Sequence, residues 1–515
     1  MKRVQSSTYK VQSTGSWVQG TERKIAFQKY TVEKNSTLYS VIGTRYQLRI
    51  SFVFILLLAQ ITYAQDATKV FSVKAFMQMV LANHPMAKQN AMLSDVAKQE
   101  IRYSRGSLDP KFEADFFQKV YGGKTYFGYV DNGLKVPLWF GTDLKFGYEN
   151  NTGQQVNPTD YTPPGGLLYA GVHIPIGQGM VIDERRAAIR QAQAMQGMLE
   201  AEKVKIINKI LLSAAKAYWE WYFQYHKLIN IKQSFALAKV RQSAISERSA
   251  AGDLAPIDSV ENLIILQERT IALQDVTTDI TNSRLLLSNF LWTEDLTPLE
   301  MDSTLVPENT LAATLIGDDV LKKLLDNAPQ VHPDILKLDF KLKQLTIDQK
   351  LYKDKLKPNL DFSYKYLTSP RNNFANDLNL NYVQDNYKVM LSISQPLFLR
   401  KERAKYQLSK IKVAQTKMDI LHTNREVATT ISTSYNEIKF LEKSLLMQES
   451  VLINYQKLLV GERSKFENGE SSIFMLNSRE SKMIDGEIKL AELKSKLEKM
   501  KTELYFNAGS LQTDF

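Results

Sequence analysis

From Ile182 to Ser249 the chain contains no proline and one glycine, Gly197, and from Arg400 to Phe466 it again contains no proline. Apolar residues recur there at three- and four-residue steps: Ile207, Ile210, Ala214, Ala217 and Trp221, then Val427, Ile431, Tyr435, Ile438, Leu441 and Leu445. That spacing predicts helix. At 1.5 Å per residue each stretch makes a rod of roughly 100 Å. Helices of globular proteins run about 8–20 residues, so two such rods point to a coiled coil or an α-barrel.

The rods belong to a duplication. Pro85 and Pro110 recur as Pro333 and Pro358, and Tyr218 and Gly252 recur as Tyr435 and Gly469. Each copy opens with a helix of about 25 residues between its prolines, Pro85 to Asp109 and Pro333 to Lys357, since proline suits a first turn and a later proline stops the helix. Alternating segments follow: Phe112–Val120, Tyr126–Val136, Asp143–Tyr148 and Leu168–Ile174 in copy one, Leu360–Tyr366 and Tyr387–Ile393 in copy two. Pro175 and Pro396 close these segments, and the loops Asn150–Gly166 and Ser369–Asn381 interrupt them. After each rod a glycine, Gly252 or Gly469, reverses the chain into a final helix, Ile257–Leu291 or Ile473–Ser510. A short and a medium helix together match the length of a rod, so each copy can form two antiparallel columns of α-helix. The expected class is mainly α with membrane β-strands: four helical columns and at least four strands per chain. Four strands cannot close a transmembrane barrel, which needs at least eight, so strands placed in a membrane imply an oligomer. The divisions read as leader 1–64, repeat one 65–298, linker 299–319 and repeat two 320–515.

Ile50–Ala59 is a short apolar run behind Arg45 and Arg49, ending at Thr62-Tyr63-Ala64. This is the layout of a secretory signal cleaved after Ala64. Residues 1–44 read as a disordered leader or a misassigned start. The chain of 515 residues has a net charge of +11, and residues 1–64 hold nine Lys/Arg against two Asp/Glu. The remainder is nearly balanced, which argues against a nucleic-acid binder. Zero cysteines exclude disulfides, thiolate metal sites, a Cys nucleophile and lipid attachment through cysteine.

The ordered set Asn83-His84-Pro85, Pro110, Pro175-Ile176-Gly177-Gln178-Gly179, Ala217-Tyr218 and Gly252, with His332-Pro333, Pro358, Gln395-Pro396-Leu397, Tyr435 and Gly469, resembles the TolC-like outer-membrane efflux protein family over about residues 70–515. The resemblance implies a homotrimer in outer-membrane lipid, with a twelve-stranded barrel above a twelve-helix periplasmic tunnel. It also implies docking to a periplasmic adaptor and an inner-membrane transporter, with no cofactor and no enzymatic activity. Copy one departs from the pattern by carrying more strand-like segments than the usual pair.

Alternative readings remain at this point. His84 and His332 are either metal ligands or helix-start residues, and the run Tyr218–Tyr225 is either a ligand box or helix packing. Gly177-Gln178-Gly179 faintly resembles a dinucleotide loop but lacks its third glycine. A pore-less periplasmic scaffold is the alternative to a duct. In the family, carboxylates often follow the second tip glycine by six and nine residues; here Met475 and Ser478 stand there, while copy one has Asp258 and Glu261. Ser471 replaces the usual basic tether. The expectation is a mouth held by packing around Phe474 and Met475 rather than by ion pairs, with Gly252 and Gly469 at the adaptor-docking tips.

Overall fold

The two proline-free stretches are the longest helices of the protein. The computed structural model describes residues 69–309, 315–370 and 385–511, which fall in one unit, Thr68–Phe515. The leader, the signal-like run and most of the Ser369–Asn381 loop lie outside the described residues.

The chain starts with strand β1 (Val70–Phe71) and helices α1 (Val73–Asn83), α2 (Pro85–Ala91) and α3 (Leu93–Arg105). Strands β2 (Lys111–Tyr121), β3 (Lys124–Pro137), β4 (Asp143–Thr152) and β5 (Leu167–Pro175) follow. The hairpin of α4 (Glu184–Ala250) and α5 (Pro256–Ser288) completes the first copy. After β6 (Val306–Pro307), the second copy runs through α6 (Asp318–Val331), α7 (Pro333–Asp354), β7 (Asn359–Thr368), β8 (Tyr387–Ser394), α8 (Arg400–Glu467) and α9 (Ile473–Asn507). α4 and α8 have 67 and 68 residues.

α8 packs on both α7 and α9, these two pack on α4, and α4 in turn carries α3 and α5. Short and medium helices thus occupy opposite ends of one rod, and four helical columns lie side by side. The final helices end at Ser288 and Asn507, short of the expected Leu291 and Ser510. Among the described residues no helix is long and apolar enough to cross a membrane.

Two elements escaped the sequence reading. α1 and α6 precede the His-Pro pairs, whereas the sequence reading started the helices of each copy only at Pro85 and Pro333. α1 is capped by Ser72, whose Oγ accepts from the Ala75 amide at 3.2 Å, and it buries Phe76, Met77 and Val80 completely. The interval 299–319 is not a plain linker either, because Val306 and Pro307 pair in parallel with Val70 and Phe71.

Among the described residues β2–β5, β7 and β8 form one antiparallel sheet, ordered β2-β3-β4-β5-β7-β8, which takes in all six alternating segments and exceeds the minimum of four. Its first hairpin turns at Gly122-Gly123, both at positive φ (58° and 72°), the two-residue reversal that matches strand twist. The sheet has unlike faces. Phe112, Phe116, Leu134, Phe146, Val172, Phe362, Val389 and Leu391 alternate to one side, and Glu113, Asp115, Asp131, Lys145, Glu149, Lys365 and Lys388 to the other. Tyr169 crosses the polar face above Gly147 and Gly133, its register partners on the next two strands, where any Cβ would collide with the ring. Its hydroxyl donates to Asp131 at 2.9 Å, and the Lys365 ammonium sits 4.0 Å from the ring centroid.

Strands and helices meet at the junction prolines. Pro85 and Pro333 occupy first helical turns, Pro110 and Pro358 precede β2 and β7, Pro175 ends β5, and Pro396 lies in the turn before α8. The Gly177-Gln178-Gly179 run is a junction device. Gly177 abuts the Pro358 carbonyl, and the Gly179 amide donates to the buried Asp354 carboxylate at 2.6 Å.

Candidate functional site

At the tip of the first hairpin the Gly252 amide donates to the Ser249 carbonyl at 3.1 Å and the Asp253 amide to Arg248 at 2.9 Å. At the second, Gly469 donates to Phe466 at 3.1 Å and Glu470 to Lys465 at 2.9 Å. Both are Schellman caps with glycine left-handed, φ 84° and 80°. A Cβ at either glycine would meet nothing within 4 Å, so the constraint is the backbone angle alone. Gly469→Ala should therefore cost about 1–2 kcal/mol through that angle, and thermal unfolding of the variant checks it; an unchanged melting temperature contradicts the assignment.

The aperture candidates are not brought together as the sequence suggested. Phe474 is 60% exposed, Ser478 is exposed and Met475 half-buried. The residues that pack are their neighbours Ile473 and Leu476, buried against Ile245 of α4. Helical geometry explains the exchange: positions 473 and 476 share the face turned to α4, and Phe474 lies about 100° around. Asp258 and Glu261 sit half-buried in the opening turns of α5. Ser471 donates to Glu462 of its own hairpin, which also faces Arg479 at 3.6 Å, and so it ties nothing to the first hairpin.

A charged tether nevertheless exists. Arg241 of α4 donates to Glu480 at 2.5 Å and to the Asn477 amide oxygen at 2.6 Å, both on α9. The side chains of Arg241 and Glu480 are only 17% and 13% exposed. Arg269 of α5 adds a bond to Ser481 at 2.6 Å. The hairpins of the two copies are thus joined within one chain by an ion pair about three helical turns above the tips. A symmetry signal was available, because Arg241 precedes Gly252 by eleven residues and Glu480 follows Gly469 by eleven.

Midway along the rods the aromatic run packs rather than binds. Trp221 and Tyr218 are fully buried beneath α1, with Phe76 stacked on Tyr218 at 5.8 Å. The Tyr218 hydroxyl donates to the Phe71 carbonyl at 2.7 Å, fastening the β1 strap to α4. Tyr435 makes the matching bond to Asp318 at the start of α6. Burial pushes the Tyr222 phenol up to about 12.

The two histidines start helices. His84 Nδ1 accepts from the Met86 amide at 3.2 Å and His332 Nδ1 from Asp334 at 3.3 Å. Burial lowers the pKa of both, and of His226 beside Tyr222. A lowered histidine pKa means the unfolded chain binds the proton more readily. Stability is then complete above the ordinary value near 6.5 and falls as pH drops below it. The melting temperature should fall between pH 7.5 and 5.5, and His332→Asn, which keeps a capping oxygen without the titration, should reduce that fall. An equal fall in the variant would dismiss His332 as a contributor. Among the described residues no group of three His, Asp or Glu is placed to hold a metal.

With this geometry in view, the relatives are informative. Residues 324–510 match the outer membrane efflux protein family. No curated protein matches the chain in sequence. Similar solved structures include the outer membrane protein VceC of Vibrio cholerae, at 14% identity, 85% of this chain, 96% of that chain and TM-score 0.59. The Campylobacter jejuni CmeC outer membrane channel is similar at 11% identity, 85% and 86% coverage and TM-score 0.60. The open state of the Neisseria gonorrhoeae MtrE outer membrane channel gives 11%, 85% and 89%, and 0.59. Residues 324–510 thus carry the sequence pattern of the outer membrane efflux protein family, and the chain as a whole has the fold of these solved outer-membrane channels.

Proposed function

We propose that this protein is the outer-membrane duct of a tripartite efflux or type I secretion system: a passive conduit that closes as a homotrimer, with the sheet in lipid and the helical columns below. The observation that carries this reading is that both layers are open on the same two sides. β2 and β8 are the edges of the sheet, and the outermost helical columns are α3 with α5 on one side and α8 on the other. Those columns expose apolar side chains: Val260, Ile264, Ile271 and Leu286 on α5, and Ile411, Met418, Leu421, Phe440 and Ile453 on α8. Exposed large apolar side chains recurring along both outer columns suit burial against a neighbouring copy. A pore-less scaffold has no use for a six-stranded sheet with one apolar face, because such a face needs lipid or a core.

In this reading the segment to Ala64 is removed on export, and the tips at Gly252 and Gly469 dock a periplasmic adaptor leading to an inner-membrane transporter. The test is fractionation followed by mass measurement in detergent. Recovery from outer membranes as a heat-modifiable trimer supports the reading, and a stable monomer in the soluble periplasmic fraction defeats it.

A further inference from the structure

The sheet has six strands, and the first two segments of the first copy, β2 and β3, are full partners in it. β3 descends to Pro137, which pairs with Asp143, the first residue of β4. The turn between them places Gly141 against Arg186 at the start of α4, the level at which the other strands meet their helices. β2, with 11 residues, has the length of a membrane-spanning strand. It also keeps the pattern of the remainder, with Phe112 and Phe116 on the apolar side and Glu113 and Asp115 on the polar side. Tyr169 locks the added hairpin to the sheet by reaching from β5 to Asp131 on β3. Trp139 is 76% exposed at the lower turn and Tyr121 is 72% exposed at the upper end, so aromatic residues bracket the hairpin as they do barrel walls.

Two bare edges follow. Every residue of β2 and of β8 is exposed, and no strand among the described residues pairs with their outer sides. Within hydrocarbon an unpaired strand edge leaves amides and carbonyls without partners, at several kcal/mol per group. An even number of alternating strands makes β2 and β8 run in opposite directions, so β8 of one copy meets β2 of the next as an antiparallel pair.

Building on the duct reading, we propose that all six strands of each copy enter the barrel wall. The outer edge of β2 then pairs antiparallel with the outer edge of β8 in the next copy, so three copies close an eighteen-stranded barrel. With strands about 4.8 Å apart and tilted about 40°, eighteen strands give a backbone diameter of roughly 36 Å, against roughly 24 Å for twelve.

The absence of cysteine makes the test direct, since introduced thiols report alone. Double variants would combine Ala114→Cys, Phe116→Cys or Gln118→Cys with Val389→Cys or Leu391→Cys, all on the lipid side, and be treated in outer membranes with a short bifunctional thiol reagent. The expected result is a ladder of covalent dimer and trimer for at least one combination and none for the single variants. A ladder from Tyr148→Cys with Leu391→Cys instead means that β4 meets β8 and the barrel has twelve strands, which overturns the proposal. So does the lack of any β2–β8 ladder in heat-modifiable, membrane-inserted variants. Should the double variants not insert, an electron-microscopy cross-section of the unmodified ring decides between eighteen strands and twelve. A monomer in the mass measurement would fell the duct reading itself; a trimer linked through β4 would fell only this one.

Discussion

In the proposed duct, Glu480→Ala should loosen the hairpin end, raising single-channel conductance in planar bilayers several-fold over the parent protein. The substitution leaves the Arg241 guanidinium largely enclosed without its carboxylate. Stranding one member of a buried pair costs up to about 3–5 kcal/mol, and the residual exposure of this pair brings the figure nearer 2–3. The cost falls where α4 meets α9, so relief comes from separating the two hairpins. The double variant Arg241→Ala with Glu480→Ala should be milder than Glu480→Ala alone, because no lone charge remains. Asp258→Asn should change little, since Asp258 has no ion pair with any described residue. Conductance equal to the parent in Glu480→Ala, or opening by Asp258→Asn, would move the latch elsewhere.

The other large effect is expected from Trp221→Ala. The indole is fully buried, in edge contact with Tyr218 at 5.5 Å between centroids and within the cluster that receives Phe76, Met77 and Val80 of α1. Removing so large a ring from a closed site costs about 3–5 kcal/mol. The corresponding residue of the second copy is Ile438, also fully buried. Ile438→Ala removes less volume and should cost about 2–4 kcal/mol. Melting temperatures of the two variants give the comparison, and an α1 that becomes protease-sensitive in Trp221→Ala alone gives the mechanism. If Ile438→Ala proved the more damaging, the aromatic strap would not be the stronger clamp.

The long rods were legible because nothing in them interrupts a helix, and their ends at Ala250 and Glu467 fell within a residue of the expectation. The strands of the first copy were legible too, from the alternation around Phe112 and Leu168. Their number per sheet was not, since alternation reveals a strand and is silent about its neighbours. α1 was overlooked because Phe76, Met77 and Val80 form a short apolar patch close behind the signal-like run. α6 was overlooked because Pro329 stands inside it, where proline ordinarily ends a helix. The side chains that pack within a single chain at the tip were not picked out: Phe474 is the most conspicuous there, yet helical phase exposes it and buries Ile473. The Arg241–Glu480 pair joins residues 239 positions apart, and local patterns do not carry such pairings.

The two open sides of a copy are unlike: β2 with α3 and α5 on one, β8 with α8 on the other. In the proposed ring each contact covers one flank of each partner, so a pair of copies still shows one raw flank of each kind until the ring closes. A subunit spoiled on one flank only, for instance by Leu391→Pro in β8, would still capture a healthy neighbour through the other and leave the ring broken. Co-expressed with the parent gene, such a subunit should act as a poison: with equal amounts of each, only about one ring in eight would contain three sound copies. The genetics of this protein should therefore show dominance for lesions at the flanks and recessiveness for lesions that prevent a copy from folding at all.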